Sequence, residues 1–205
     1  MIWELIYNFI IVPLLYVIFI SASLFNKKVK RGIKGRKNLM GSLEARVKNL
    51  GMSCPRILFH CASLGEFEQA KPVVRELRRR WERIFVVITF FSPSGFEHHV
   101  NDVEADIISY IPFDRRSNVK RFLKIVSPDL MAFISYDIWP NVVWECSQLK
   151  IPVFLISARA PDKTDARLFL LGKFREYLYR NFSGILTVSP RDSSYFKEMM
   201  RYGQI

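Results

Sequence analysis

The stretch His60-Cys61-Ala62-Ser63-Leu64-Gly65-Glu66-Phe67-Glu68-Gln69-Ala70 carries residue types able to do chemistry, at a spacing that aims them. The apolar run Ile57-Leu58-Phe59 leads into it, and Pro72-Val73-Val74-Arg75-Glu76-Leu77 follows with apolar positions at helical spacing. This pattern predicts strand, tight turn, helix. Ser63 and Gly65 fall where the chain must turn. Glu66 falls in the first helical turn, where free N–H groups and the macrodipole stabilise a carboxylate. A carboxylate at the carboxyl edge of a parallel sheet is placed to act as general base on a substrate hydroxyl. The competing reading is that Glu66 only complements the helix start.

A sheet is needed to hold that turn, and the sequence supplies one. Apolar runs read as buried parallel strands at Ile57 to Cys61, Phe85 to Phe91, Ile107 to Ile111, Leu130 to Ser135, Val153 to Ser157 and Ile185 to Val188. Helical periodicity occupies Glu66 to Glu82, Ser94 to Val100, Ser117 to Val126, Ile138 to Leu149, Asp165 to Asn181 and Arg191 to Arg201. The alternation predicts an α/β fold, a Rossmann-like parallel sheet with helices on both faces, whose strand ends converge on one edge.

Other turns at that edge carry polar groups. Ser92-Pro93-Ser94-Gly95 brings two hydroxyls to a helix start, which suits a phosphate but is also an ordinary turn and cap. Asp137 is either a second carboxylate in the cleft or the cap of the following helix. Arg159 at a strand end suits a substrate phosphate or a neighbouring acid. His60 reads as a core residue, and the pair His98-His99 as a solvated face with no metal spacing. No glycine-rich nucleotide fingerprint is present, and no cofactor or metal is expected.

The 205 residues carry a net charge of +12, and +8 of it falls between Asn26 and Lys48, where nine basic residues face one acid, Glu44. Basic residues so confined argue against nucleic acid as a partner and for an anionic membrane surface. The three cysteines, Cys54, Cys61 and Cys146, have no paired spacing and read as thiols in a reducing compartment.

Leu5 to Phe25 is free of charge. As a helix it is about 31 Å long, enough to cross a bilayer. A cleaved signal peptide is opposed by the absence of basic residues before the apolar run, and the positive collar after it places the rest of the chain in the cytoplasm. The third alternative is a helix in the membrane interface, kinked at Pro13, with Trp3, Tyr7 and Tyr16 at headgroup depth. The expected organisation is a membrane anchor over 1–25, a basic collar and linker over 26–54, and the Rossmann-like domain over 55–205.

Four blocks then stand in order: His60 to Gln69, Thr89-Phe90-Phe91-Ser92-Pro93-Ser94-Gly95, Ile138-Trp139-Pro140-Asn141 and Ser157-Ala158-Arg159. Together they resemble the lipid A 3-deoxy-D-manno-octulosonic acid (Kdo) transferases, inverting glycosyltransferases of the GT-B fold. The resemblance covers the whole chain but only the N-terminal, acceptor-binding half of the family's enzyme. It implies that Glu66 is the proton acceptor in transfer of Kdo from CMP-Kdo to a lipid A precursor, at the cytoplasmic face of the bacterial inner membrane. Ser63, Gly65, Ser92, Ser94, Asp137 and Arg159 are the expected substrate-lining residues. The family has an acid thought to stabilise the transition state two positions before the one matching Asp137, and Ser135 stands there instead. The family's Gly-Asn-x-Lys segment and its CMP-binding domain would follow Ile205, so the isolated chain is expected to be inactive. The alternative is a non-catalytic membrane protein that binds lipid A precursors or partner chains through the same cleft. A Rossmann-like oxidoreductase is opposed by the missing glycine fingerprint.

Overall fold

A computed structural model of the chain describes residues 2–48, 54–99, 102, 104–160 and 169–200. Six strands form one parallel sheet: β1 (Arg56–Cys61), β2 (Phe85–Phe90), β3 (Ile107–Tyr110), β4 (Leu130–Ile134), β5 (Val153–Ala158) and β6 (Gly184–Thr187). Their order is β3-β2-β1-β4-β5-β6. The order reverses between β1 and β4, which pair with Ile57 opposite Leu130 and His60 opposite Phe133. A doubly wound sheet opens its crevice at that reversal, beyond the strand carboxyl ends.

Side-chain alternation divides the core in two. Leu58, Val87, Met131, Phe133, Val153 and Leu155 face helices α7 (Arg116–Val126), α8 (Pro140–Gln148), α9 (Phe169–Tyr179) and α10 (Pro190–Met200). Phe59, Val86, Ile88, Phe90, Ala132 and Ile134 face α5 (Leu64–Arg80), through Phe67, Ala70 and Val74, and α6 (Pro93–His99), through Phe96. The expected strands and helices thus stand within a few residues of their predicted limits. Val100 and Arg201, and the predicted start of the fifth helix, lie outside the described residues.

Two further helices lie where no element was expected. Asn26 caps α3 (Lys27–Gly35) by accepting from the N–H groups of Lys28 and Val29, and α4 (Leu39–Lys48) follows. The charges of this segment conceal an apolar side. Leu43 is buried in the core, and Gly35 lies so close to Tyr110 that a Cβ there would stand 2.5 Å from the ring. Arg36 locks the arrangement. Its guanidinium donates to the carbonyls of Ile111, Gly32 and Phe91 and lies over the rings of Phe91, Tyr110 and Phe113. Burial pushes its pKa down to about 10. Arg36→Ala leaves three carbonyls unpaired and should cost about 3 kcal/mol, read as a lower urea midpoint. Arg36→Lys should recover only part of that, because an ammonium offers its donors from one point and cannot span acceptors held by Nε, Nη1 and Nη2.

The N-terminal helix comprises α1 (Ile2–Ile6), a π-helical turn (Tyr7–Ile11) and α2 (Val12–Phe25). Ile2–Phe25 is long and apolar enough to cross a membrane. The π turn precedes Pro13, where the missing N–H would otherwise interrupt the ladder, and helical geometry continues through it. Tyr7 points into the domain, buried, and donates to Asp114 at 2.8 Å. Trp3 packs on Phe174, and Tyr16 on Phe113.

Candidate functional site

The site is built where the sheet reverses. After β1 the chain turns at Ala62-Ser63 and starts α5; after β4 it turns at Ser135-Tyr136-Asp137. Glu66, in the first turn of α5, is 6% exposed, and its carboxylate folds back to accept from the N–H of Ala62. Burial raises its pKa above the usual carboxylate range, and the nearby charge of Asp137 adds to this. The N–H groups of Ala62 and Ser63 act in the opposite direction. The result is a carboxylate more basic than an exposed one, held in a fixed orientation.

Asp137 faces the same turn and is fixed from behind. The Nε1–H of Trp139 donates to its Oδ2 at 3.2 Å, and Nε2 of His60 lies 3.3 Å from the same atom. His60 is completely buried, with Nδ1 3.1 Å from the hydroxyl of Thr89. The Thr89 hydroxyl donates to the carbonyl of Phe59 at 3.1 Å, which leaves its oxygen to accept from His60 Nδ1. His60 is therefore a core residue that also orients a carboxylate. Two signals for this were present in the sequence: a polar residue inside an apolar strand, and a Trp two residues after Asp137.

Ser135 is buried, with φ 65°, and its hydroxyl donates to Gln69 Oε1 at 3.1 Å. It ties the β4 turn to α5, one helical turn beyond Glu66. Ser63 and Gly65 are exposed on the β1 turn, beside the exposed side chain of Leu64. Tyr136, 75% exposed, stands at the opposite turn.

Ser92 joins this group through its backbone, donating its N–H to the carbonyl of Ala62 at 3.1 Å. Its hydroxyl lies 2.8 Å from that of Ser94. Gly95 permits close packing, since a Cβ there would meet the Phe90 ring at 2.5 Å. Ser92 also lines an apolar pocket of about 230 Å³ with Phe19, Ile33, Phe91 and Phe113. Arg159 is exposed at the end of β5 and, among the described residues, makes no bond to Glu66 or Asp137. The neighbouring Ala160 N–H is held by Asp192 of α10. The expected residues thus fall into a close group of Glu66, Asp137, Ser135, Ser63 and Gly65, with Ser92 and Ser94 adjoining and Arg159 apart.

His99 differs from the solvated face expected of it. It packs edge-on against Phe67 and bonds to Asp102 at 3.1 Å, while His98 is exposed. No cluster suited to a metal occurs among the described residues.

Comparison with known proteins gives the chemistry a context. Residues 27–203 match the family model described as 3-Deoxy-D-manno-octulosonic-acid transferase (kdotransferase). The 3-deoxy-D-manno-octulosonic acid transferase of Haemophilus influenzae is 30% identical over 146 residues, covering 69% of this chain and 33% of that protein. That of Rickettsia bellii is 25% identical over 195 residues, 94% of this chain and 44% of that protein. The chain therefore spans between a third and under half of these relatives. Among solved structures, a UDP-N-acetylglucosamine 2-epimerase superposes with a TM-score of 0.53 at 14% identity, over 75% of this chain and 46% of that one. This likeness is one of fold, a GT-B-like Rossmann domain.

Proposed function

The chain belongs to the 3-deoxy-D-manno-octulosonic-acid transferase family, and we propose that it forms the acceptor half of an enzyme that moves Kdo from CMP-Kdo to a lipid A precursor in lipopolysaccharide biosynthesis. The observation that carries this reading is the buried Glu66 carboxylate at the sheet reversal, beside Asp137. The acceptor hydroxyl lies against Glu66, loses its proton to that carboxylate and attacks the anomeric carbon of Kdo. The bond from that carbon to the CMP phosphate oxygen breaks as the new one forms, and the electron pair leaves with CMP. A single displacement of this kind inverts the anomeric centre. Ser63, Gly65, Ser92 and Ser94 line the acceptor side, and Arg159 meets a phosphate further along the edge. The chain spans under half of its Haemophilus and Rickettsia relatives, and the donor site is assigned to the remainder of the enzyme.

Asp137 takes over the electrostatic role left open by Ser135. Asp137→Asn in the complete enzyme should lower kcat/KM about 10- to 100-fold. It also removes a charge that raises the pKa of Glu66. Transfer requires Glu66 ionised, so rates fall as pH drops through its pKa, and in Asp137→Asn that acid limb should move to lower pH. A pH–rate profile checks both effects; an unmoved limb means that the two carboxylates are not coupled.

Ser135 also favours a second reading, a domain that binds lipid A precursors without catalysis, because a neutral hydroxyl stands where the family has an acid. Transfer restored by adding a separately made donor half would decide against it. The proposed location is the cytoplasmic face of the bacterial inner membrane, with 1–25 as anchor, 26–54 as collar and 55–205 as acceptor domain.

A further inference from the structure

We propose that the N-terminal helix lies in the plane of the membrane interface instead of crossing it, and seats the Glu66 edge of the sheet directly on an anionic phospholipid surface. A spanning helix must leave its domain within a turn or two, since the lipid core has no room for the domain. Here contacts with the domain recur along the helix from Trp3 to Phe19. Glu4 accepts from Tyr177 at 2.7 Å, and Tyr7 donates to the buried Asp114. Asn8 and Asn141 exchange two amide hydrogen bonds, at 3.0 and 2.9 Å. Phe19 closes the far end against Phe91 and Phe113. From Trp3 to Phe19 the axis covers about 24 Å, most of a bilayer core. Crossing would strip these contacts and leave buried polar groups unpaired.

The helix surface left outside these contacts is apolar and uncovered: Phe9, Ile10, Leu14, Ile18, Leu24 and Phe25 are 51–90% exposed. Charge identifies what covers it. The chain turns at Asn26 into α3, whose Lys27, Lys28, Lys30 and Lys34 are exposed, with no acid on that helix. An apolar face continuous with a cationic one fits an anionic bilayer interface, with side chains below the headgroups and lysines among them.

The docked residues Phe91, Phe113, Asp114 and Asn141 all follow strand carboxyl ends, the edge that carries Glu66. A chain of rings connects helix to site. Phe19 packs on Phe91, Phe91 on Trp139, and Trp139 donates to Asp137. The helix thus fixes the height and tilt of the cleft over the bilayer, which suits an acceptor held in that bilayer by its acyl chains. This consequence rests on the acceptor reading; the seating itself does not.

The test is nitroxide depth in vesicles of phosphatidylethanolamine and phosphatidylglycerol. Single cysteines replace Phe9, Leu14, Ile18 or Leu24 in the full chain with Cys54 changed to Ala, all exposed positions where a label leaves packing intact. The expected result is one shared shallow depth, about 5–10 Å. Depths that peak in the middle of the helix, with labels at Ile2 and Phe25 reporting opposite aqueous sides, would overturn the proposal. Changing Lys27, Lys28, Lys30 and Lys34 to Gln should weaken partitioning into these vesicles at least about tenfold while leaving phosphatidylcholine binding unchanged. Equal losses in both, or no partitioning by the parent chain, would also overturn it. Neither measurement uses donor or acceptor, so failed transfer leaves the seating standing, and a spanning helix leaves the role of Glu66 standing.

Discussion

Glu66→Gln in the complete enzyme should lower Kdo transfer about 10²- to 10⁴-fold, the range expected when a positioned general base is removed. The substitution is nearly isosteric, and the amide oxygen can still accept from the Ala62 N–H that holds the carboxylate. It also removes a buried negative charge near Asp137, so the unfolding midpoint should hold or rise slightly. Activity lost with the fold intact separates a catalytic carboxylate from one that only caps α5. If Glu66 serves only the helix start, the same change spares transfer. CMP release and thermal unfolding on the same preparations distinguish the two cases.

The second large effect concerns the joint between helix and domain. Asp114 is 4% exposed and accepts at Oδ2 from the Tyr7 hydroxyl and the Asn141 N–H, while its buried Oδ1 has no partner. Burial pushes its carboxyl up to about 7, against hydrogen bonds from Asn141, Tyr7 and Val142, and the charge of Asp137 adds to the rise. Between the ordinary carboxylate range and about pH 7 the native state therefore keeps a proton that the unfolded chain has released. The contribution of Asp114 to stability is complete in acid and is lost as pH rises through about 7. Asp114→Asn keeps an acceptor for Tyr7 and Asn141 but cannot ionise. It should match the parent near pH 4 and exceed it above pH 8, by up to about 4 kcal/mol. Asp114→Ala leaves both donors unpaired and should cost about 3 kcal/mol at acid pH. Urea unfolding in micelles across this pH range reads both. A parent chain and an Asp114→Asn variant with parallel pH profiles would show that Asp114 is not the titrating group.

Strands β1 to β4 were legible because strands buried on both faces read as apolar runs; β6 reads the same way but lies at the sheet edge, where Leu186 is 52% exposed. Glu66 and Asp137 were legible as turn carboxylates at strand ends, although only the β1–β4 reversal shows them to be neighbours. What was hidden had a local signal that pointed elsewhere. The lysines of α3, and glycines at positions 32 and 35, suggested a solvated linker, yet those glycines give the close approach that lets Arg36 reach three carbonyls. In the N-terminal helix nearly every residue is apolar, so no moment marked a docked side. The exceptions, Glu4, Tyr7 and Asn8, were the signal, and their partners Tyr177, Asp114 and Asn141 lie more than a hundred residues away. His99 was misleading in the same way, because a histidine's role depends on what faces it across the fold.

Glu66 is proposed to take the proton of the acceptor hydroxyl in Kdo transfer. The measurement that tests it most directly is single-turnover transfer from CMP-Kdo to a saturating lipid A precursor by the complete enzyme, parent and Glu66→Gln side by side, with acceptor affinity measured on the same samples. The predicted result is unchanged acceptor affinity with transfer slowed by at least about 10². Transfer at the parent rate, or a loss that saturating acceptor restores, would contradict it and leave Glu66 as a binding or capping residue.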